Sequence, residues 1–325
     1  MCPDAAAPPI QHRAPAAESA WSLLRAASDV AERLERDGKV RAFSANDDGL
    51  APLAADGPDA LLVWRPHTGW ESRLPREDGR AELVNLYLPI CSATAARPLT
   101  VGHLGQSLDG FIATPSGDSQ FVTGGDNILH LHRMRALCDA VIVGAGTVAA
   151  DDPQLTTCHV PGPNPLRVVL DPERRLTPTF RLFTDRGVPT LYICGRSRLA
   201  KGESHIGTAG TAGIDEGAPG DEAAQVLTLL RARGCARIFV EGGGITVSTF
   251  LEANLLDRLQ ITVAPVLIGN GRPAIRLAPQ SRLRDCRRPR YRVFRMGGDV
   301  LFDCELSVSA VAIEGPAPGT VNRVI

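Results

Sequence analysis

Short hydrophobic runs alternate with amphipathic stretches along most of the chain, and this alternation defines the predicted elements. The runs predict buried strands at 99–110, 139–148, 166–172, 189–195, 236–241, 260–269 and 299–306. Apolar residues at helical spacing predict helices between them, at 127–137, 221–233 and 247–256. Strands and helices that alternate in this way predict an α/β fold, with a central, mostly parallel sheet flanked by helices.

The front of the chain has a different pattern. Residues 1–17 are rich in alanine and proline and contain almost no core-forming side chains, so we predict a disordered tail. An amphipathic helix follows, in which Trp21, Leu24, Val30 and Leu34 lie near helical spacing.

Two further hydrophobic runs in the front part, 60–66 and 83–90, predict strands. The glycine-rich segment 204–220 predicts a mobile surface loop in the later part. After the tail we expect three parts: a small accessory α+β domain, a linker and the main domain, at 18–93, 94–98 and 99–325.

Composition argues against several classes of function. The 325 residues carry a formal net charge of -1, so charge supports neither nucleic-acid binding nor attachment to an anionic membrane. No apolar run is long enough for a membrane span, and the amino-terminal residues lack the pattern of a signal peptide. The eight cysteines show no CxxC spacing, so we expect reduced thiols of a cytoplasmic protein, without a disulfide framework or a metal site.

Two predicted strands end in glycine-rich turns, VGAGTVAADDP (143–153) and VEGGGITVSTF (240–250). Ligands of open α/β sheets bind beyond the carboxyl ends of the strands. At the second turn, Gly243 and Gly244 leave the first amides of a helix open to an anion, which suits a dinucleotide pyrophosphate. Hydroxyl groups close to these amides come from Thr246, Ser248 and Thr249. The alternative is a tight turn that binds nothing, and neither turn has the GxGxxG spacing of a Rossmann fold.

Carboxylates beside both turns allow two interpretations each. Glu241 could accept hydrogen bonds from the N–H groups of a pterin-like or pyrimidine-like ring, or it could cap the loop in solvent. Asp151 and Asp152 suit general acid–base chemistry, but an aspartate before proline is also ordinary turn chemistry. The turn is the favoured interpretation of this pair.

The predicted helix at 127–137 carries a histidine pair and an arginine pair. His130 and His132 are two positions apart and therefore point to different faces, which argues against a shared metal. By the same spacing, one of Arg133 and Arg135 is expected to face a cleft and the other the solvent.

Four motifs, in this order and at these separations, resemble the reductase domain of the bacterial riboflavin-biosynthesis deaminase/reductase. They are SLDGFIATPSGDSQFVTG, HRMRALCDAVIVGAGTVAADDPQLT, LRVVLD and FVEGGGITVSTFLEANLLDRLQITVAPVLIG. The resemblance covers about residues 99–308 and implies the dihydrofolate-reductase-like fold. It also implies a homodimer and NADPH-dependent reduction of a ribosylaminopyrimidine phosphate to its ribitylamino counterpart.

The resemblance assigns roles to particular positions. It implies that the cofactor contacts Gly105, Phe121, Thr147, Asp151, Gly243, Gly244, Ile245, Thr246, Val247, Ser248 and Thr249. It implies that the substrate contacts Ser119, Arg135, Leu155 and Glu241. No covalent nucleophile is expected, because the nicotinamide carries the chemistry and the protein supplies position and electrostatics.

Two positions depart from the family pattern. Phe111 stands where Lys or Arg commonly follows SLDG, and Cys158 replaces the arginine that usually ends the DDPxLTxR stretch. Both basic residues belong, in the family, to the side that receives the substrate phosphate, so the substrate here could lack that phosphate or differ otherwise. His159 or Arg167 could compensate for the lost charge.

The departures leave two other functions open. One is a reductase of the same fold that acts on an unrelated imine or lactam, and the other is a ligand-binding protein without catalysis. The front segment lacks the H-x-E and PCxxC motifs of the zinc deaminase that precedes the reductase in the bifunctional proteins, so no deaminase activity is expected.

Overall fold

The computed structural model describes residues 15–46, 49–54, 57–120 and 122–306. Most of the predicted tail lies outside these residues, and α1 (Pro15–Asp37) already begins within it. A four-stranded antiparallel sheet follows, built from β1 (Arg41–Asn46), β2 (Gly49–Pro52), β3 (Leu62–Arg65) and β4 (Gly69–Ser72). Helix α2 (Ala81–Cys91) completes the front part.

The prediction of a strand at 83–90 is wrong, because this run forms most of α2. A short run that is apolar on every side fits a buried strand and a buried helix equally well. Here Val84, Tyr87, Leu88 and Ile90 are all buried between α1 and the sheets, so burial on several sides of the helix explains the missing periodicity.

The remaining elements follow from Leu99 in the order of the chain. The helices are α3 (Gly125–Leu137), α4 (Ala145–Asp151), α5 (Arg181–Thr184), α6 (Pro219–Ala232) and α7 (Gly244–Glu252). The strands are β5 (Leu99–Ser107), β6 (Phe111–Ala113), β7 (Ala140–Gly144), β8 (Leu166–Leu170), β9 (Thr190–Gly195), β10 (His205–Ile206), β11 (Ala209–Ile214), β12 (Arg237–Glu241), β13 (Arg258–Ala264), β14 (Arg272–Pro273), β15 (Arg290–Met296) and β16 (Asp299–Glu305).

Ten of these strands form one sheet in the order β10-β11-β9-β8-β7-β12-β5-β13-β16-β15. The pairs from β11 to β13 are parallel, and only the pairs at the two ends of the sheet are antiparallel. The predicted central, mostly parallel sheet is therefore confirmed. Along β7, Val141 and Val143 enter one apolar core while Ala140 and Ile142 enter the other, because successive side chains of a strand point to opposite faces.

The segment 204–220 is not the surface loop that its glycines predict, because it contains β10 and β11. β11 pairs in parallel with β9 over five residues, from Gly210 opposite Leu191 to Ile214 opposite Gly195. Glycine and alanine have a low intrinsic preference for strands, but the backbone pairing of β11 with β9 outweighs that local preference.

A buried polar chain joins α2 to the large sheet. The Tyr87 hydroxyl lies 2.6 Å from Nδ1 of His130, and Nε2 of His130 lies 3.0 Å from Oε1 of Gln260. The Gln260 amide nitrogen donates to Asp303, so its oxygen accepts from His130 and the Tyr87 hydroxyl donates to Nδ1. Burial also raises the pKa of Tyr87 to about 12.

Among the described residues, no helix combines the length and the apolar character that a membrane crossing requires. The cysteines at 91, 138, 194, 235, 286 and 304 are free thiols, as predicted. Among the described cysteines, the prediction of a reduced thiol is wrong for Cys158, because it is disulfide-bonded.

Candidate functional site

The two glycine-rich turns lie side by side. β7 and β12 are adjacent parallel strands, so α4 and α7 begin next to each other at the same edge of the sheet. The Gly243 amide donates to Oγ1 of Thr147 over 3.0 Å. A Cβ atom on Gly144 would overlap Oγ1 of Thr246. A threonine of each turn therefore packs against a glycine of the other turn.

A different structural constraint accounts for glycine at each of the three consecutive positions 242, 243 and 244. Gly242 has a φ of 132°, a conformation that residues with a side chain rarely adopt. Gly244 lies against the backbone carbonyls of Pro273 and Ala274, where a Cβ would collide. A Cβ on Gly243 would instead meet only Oγ1 of Thr147, at 3.3 Å, so the space above this residue is open. Only Gly243 therefore fits the expectation that a glycine makes room for a ligand.

The start of α7 presents backbone amides toward this open space. Gly243 is the N-cap residue, and its own amide is already bound to Thr147. Helix geometry leaves the next three amides, of Gly244, Ile245 and Thr246, without acceptors in the helix. The partial positive charge of a helix amino terminus favours an anion at this position.

The later residues of the predicted turn have roles within the fold. Val247 is buried in the apolar core, and Oγ of Ser248 accepts a hydrogen bond from the amide of Arg276. The Thr249 hydroxyl donates to the carbonyl of Ile245. The structure therefore brings Gly243 to Thr246 to the cleft, whereas the side chains of Val247 to Thr249 stabilise α7.

Two predicted substrate contacts, Glu241 and Arg135, form a buried ion pair. Nε of Arg135 lies 2.9 Å from one carboxylate oxygen of Glu241, and Nη2 lies 2.5 Å from the other. Nη1 of Arg135 donates to the carbonyl of Thr156, which ties the segment after Leu155 to α3. His103 lies opposite Glu241 on β5, and burial lowers the pKa of this histidine to about 4.

Arg135 binds Glu241 at the end of β12, and Arg133 does not face solvent, as one of the arginine pair was expected to do. Arg133 is buried, with its guanidinium 5.9 Å from the ring centre of Trp21 and 6.0 Å from that of Tyr87. The expectation was wrong because the sequence does not show that α1 and α2 cover this face of α3. Leu155 is also buried, in a left-handed conformation with a φ of 54°.

The remaining predicted contacts are Gly105, Ser119, Phe121 and Asp151. Gly105 lies against Thr123 and Asn127, where a Cβ would be too close to Thr123. Ser119 is half-buried in the loop between β6 and α3, and Phe121 lies outside the described residues. Asp151 is exposed at the end of α4.

Asp152 stabilises a turn, which is the favoured interpretation of the pair Asp151 and Asp152. It ends α4 in a left-handed conformation, and its carboxylate accepts from the amide of Arg181. Arg167, one possible substitute for the lost phosphate contact, is fully buried and held by Asp185, Thr190 and two backbone carbonyls. It therefore does not reach the cleft.

Arg272 is a cation at the site that sequence reasoning missed. Strand β14 pairs with β6, and this pairing places Arg272 opposite Ala113 and Pro273 opposite Phe111. The guanidinium lies against Gly117, and its charge opposes the desolvation that raises the pKa of Asp151. A two-residue strand after a long loop has no sequence signal, so only the pairing reveals this position.

A cavity of about 540 Å³ lies away from the glycine turns, between the front part and the strands β13 and β15. Three arginines line it, but each is already engaged. Arg258 and Arg292 bind Asp303, and Arg97 binds Glu35. The amides at the start of α7 and the ion pair between Arg135 and Glu241 both lie at the carboxyl end of β12. We therefore assign the functional site to this edge of the large sheet.

Residues 100–294 match the family model described as the RibD C-terminal domain. The chain belongs to the RibD C-terminal domain family. The α/β, dihydrofolate-reductase-like fold predicted from the resemblance is therefore confirmed.

Relatives of this family member include archaeal and bacterial proteins. It is 35% identical over 187 residues to the 2,5-diamino-6-ribosylamino-4(3H)-pyrimidinone 5′-phosphate reductase of Methanothermobacter thermautotrophicus, covering 55% of this chain and 82% of that protein. It is 32% identical over 241 residues to the riboflavin biosynthesis protein RibD of Bacillus amyloliquefaciens, covering 74% of this chain and 63% of that protein.

A solved structure shares the fold. The deaminase/5-amino-6-(5-phosphoribosylamino)uracil reductase of Thermotoga maritima matches with a TM-score of 0.56 and 25% identity, over 69% of this chain and 59% of that chain. The chain thus spans less than two thirds of the Bacillus and Thermotoga proteins.

Proposed function

We propose that this chain is an NADPH-dependent reductase that transfers hydride to a ribosylaminopyrimidine phosphate. The observation that carries the proposal is the row of open amides at the start of α7, held by the contact between Thr147 and Gly243. Two relatives named as 2,5-diamino-6-ribosylamino-4(3H)-pyrimidinone 5′-phosphate reductases support it, since this chain covers 82% and 91% of their lengths.

The residues at the turn fit the phosphate groups of a dinucleotide. The amides of Gly244, Ile245 and Thr246 would donate to phosphate oxygens, and within 4 Å of a Cβ position at Gly243 only Oγ1 of Thr147 is present. Thr147 fixes the position of the Gly243 backbone through its hydroxyl. When bound, the nicotinamide supplies the hydride, and the protein supplies binding and orientation.

Glu241 orients the substrate ring in this proposal. Its carboxylate is already aligned by the two hydrogen bonds from Arg135, and each oxygen has a further lone pair for a ring N–H group. Because the pair is buried, Arg135 also offsets the cost of keeping a charge there. The site therefore offers preorganised acceptors to the pyrimidine.

Arg272 supplies the charge for the substrate phosphate that Phe111 and Cys158 do not supply. It is exposed beside β6, next to the position where the family pattern commonly has a basic residue. A charge-assisted hydrogen bond from a guanidinium to phosphate is about twice as strong as a neutral one. A phosphorylated substrate therefore remains compatible with this sequence.

The test is the oxidation of NADPH in the presence of the ribosylaminopyrimidine 5′-phosphate or its dephosphorylated form. We expect turnover of the phosphorylated compound, and we expect Arg272→Ala to raise its KM about tenfold while leaving the dephosphorylated compound unaffected. Arg41→Ala, in the front part, is the matched control. Absence of NADPH binding would refute the proposal, and equal effects on both compounds would refute the role of Arg272.

We also infer a cytoplasmic homodimer. Leu108, Val266 and Leu267 are exposed apolar side chains at one surface, where the Leu108 amide donates to the carbonyl of Val266. This apolar surface is suited to burial against a second copy. Light scattering is expected to give a dimer mass for the chain and a monomer mass for Leu267→Asp. A wild-type monomer would contradict the inference.

A further inference from the structure

His132, Cys158 and His159 bring three metal-ligand side chains together beside the proposed reductase site. One ligand atom from each of them lies within 4.8 Å of the others. The Cys158 sulfur is 3.9 Å from both ring nitrogens of His132, and the two imidazole ring centres are 4.4 Å apart. The cluster joins α3 to the segment after Leu155, across 26 positions of sequence between His132 and Cys158.

We propose that the chain, when Cys158 is reduced, binds one zinc ion through His132, Cys158 and His159. A thiolate with two imidazoles is a donor set that Zn²⁺ prefers, with a fourth position left for water or another ligand. Zinc bonds of about 2.1 Å to nitrogen and about 2.3 Å to sulfur place tetrahedral donors about 3.6 Å apart. In the disulfide-bonded form the Cys158 sulfur is 3.9 Å from each ring nitrogen of His132, so the Cys158 side chain must turn toward Nδ1 when the ion binds.

The hydrogen bond from the Cys158 amide identifies the nitrogen of His132 that carries a lone pair. The Cys158 amide donates to Nδ1 of His132 over 3.2 Å, so Nδ1 carries the lone pair and the proton is on Nε2. A zinc ion would take this lone pair in place of the amide hydrogen. His132 itself is buried on α3, which holds the ring in position.

The oxidation state of Cys158 controls the site, because Cys158 is disulfide-bonded in this structure. A dithiol reductant converts a disulfide to two thiols with two electrons and two protons, and is itself oxidised to a disulfide. Zinc binding then releases the thiol proton of Cys158, since the thiolate is the metal ligand. Disulfide formation and metal binding therefore compete for the same sulfur.

A bound ion would hold the segment from Thr156 to His159 against α3. Arg135 already binds the carbonyl of Thr156, and the same guanidinium binds Glu241. The metal would therefore stabilise the neighbourhood of this ion pair. The inference does not depend on the proposed reductase activity, because it rests on the donor atoms alone.

The test is a titration of the metal-free, fully reduced chain with Co²⁺, followed by competition with Zn²⁺. We expect one Co²⁺ per chain, with a thiolate-to-cobalt charge-transfer band and the visible bands of tetrahedral cobalt, and we expect Zn²⁺ to remove both. Cys158→Ser should lose the charge-transfer band, and His159→Gln should weaken binding at least about tenfold. Cys286→Ser removes an exposed free thiol and is the matched control, with unchanged binding.

Three outcomes would overturn the proposal: no cobalt binding by the reduced chain, cobalt binding without a thiolate band, or a thiolate band that persists in Cys158→Ser. Far-ultraviolet circular dichroism shows that each variant is folded, and NADPH binding is measured in parallel on every sample. A chain that binds NADPH and no cobalt refutes the metal site and leaves the proposed function intact. A chain that binds cobalt and no NADPH supports the metal site and refutes the proposed function.

Discussion

Thr147 accepts a hydrogen bond from the amide of Gly243 over 3.0 Å, and this single contact fixes one glycine-rich turn against the other. The bond removes one of the four amides that a helix amino terminus leaves unpaired. The amides of Gly244, Ile245 and Thr246 remain without acceptors in the helix. The geometry of the proposed cofactor site therefore depends on a residue from the neighbouring helix, α4.

Thr147→Val is expected to weaken NADPH binding about tenfold, because valine has the shape of threonine without the acceptor oxygen. Thr147→Ser keeps the oxygen and is expected to bind NADPH nearly as well as the wild type. Nicotinamide fluorescence measures both affinities. Equal affinities for the valine and serine variants would show that the contact does not position the turn.

Gly244→Ala is expected to lower the free energy of unfolding by about 2 kcal/mol, because its Cβ collides with the carbonyl oxygens of Ala274 and Pro273. Backbone atoms cannot turn aside as a flexible side chain can. Gly146→Ala is the matched control, since a Cβ there meets nothing within 4 Å. Urea unfolding of the two variants separates a packing role from a general preference for glycine.

Glu241→Gln is expected to lower the free energy of unfolding by about 3 kcal/mol, because it leaves the Arg135 guanidinium buried without its counter-charge. The variant should also bind the pyrimidine more weakly. Asp215→Asn breaks an exposed pair with Arg196 and should leave stability unchanged within error. If both substitutions had the same effect, the account of the buried pair would be wrong.

The stability of the protein is expected to fall as the pH drops from about 7 to 5, partly through His103. Burial lowers its folded pKa to about 4, whereas the unfolded chain binds a proton near 6.5. Between these values the unfolded state holds more protons, so stability rises with pH. Glu241 opposes this shift, and Arg135 adds to it.

The contribution of His103 is about 2 kcal/mol between pH 7 and 5. His103→Gln keeps a donor toward Asn127 and Thr262 but cannot take up a proton. Its free energy of unfolding should therefore change less over this range, because only His130, whose pKa burial also lowers, and the other titratable groups then contribute. An identical pH profile for both proteins would assign the acid sensitivity to other groups.

The sequence allowed the prediction of those features whose signals are local. The strand β12, the glycine turn and helix α7 are contiguous, so hydrophobic pattern and turn chemistry predict them together. The segments 83–90 and 204–220 were mispredicted because tertiary contacts, not local pattern, decide their structure. Pairing with a neighbouring strand gives β11 a place in the sheet despite its glycines.

Contacts at the site between residues that are far apart in the chain could not be predicted from the sequence. Arg272 reaches the cleft only because β14 pairs with β6. Nothing in the spacing of His132, Cys158 and His159 resembles a metal motif, since a helix and a later loop supply them. The ion pair between Arg135 and Glu241 likewise joins residues 106 positions apart, which no local pattern connects.

The central claim is tested most directly by comparing NADPH binding to Gly243→Asp and Gly243→Ala. Alanine fits the backbone conformation of this N-cap, with a φ of -62°, but its Cβ enters the space assigned to the phosphates, so Gly243→Ala should weaken NADPH binding about tenfold. Aspartate should keep the fold, since it is a favoured N-cap residue, but its carboxylate occupies the amides of Ile245 and Thr246 and repels phosphate. We predict at least a hundredfold loss of affinity, on the order of 3 kcal/mol, for the aspartate variant alone. Wild-type affinity in a folded Gly243→Asp protein would contradict the placement of the cofactor.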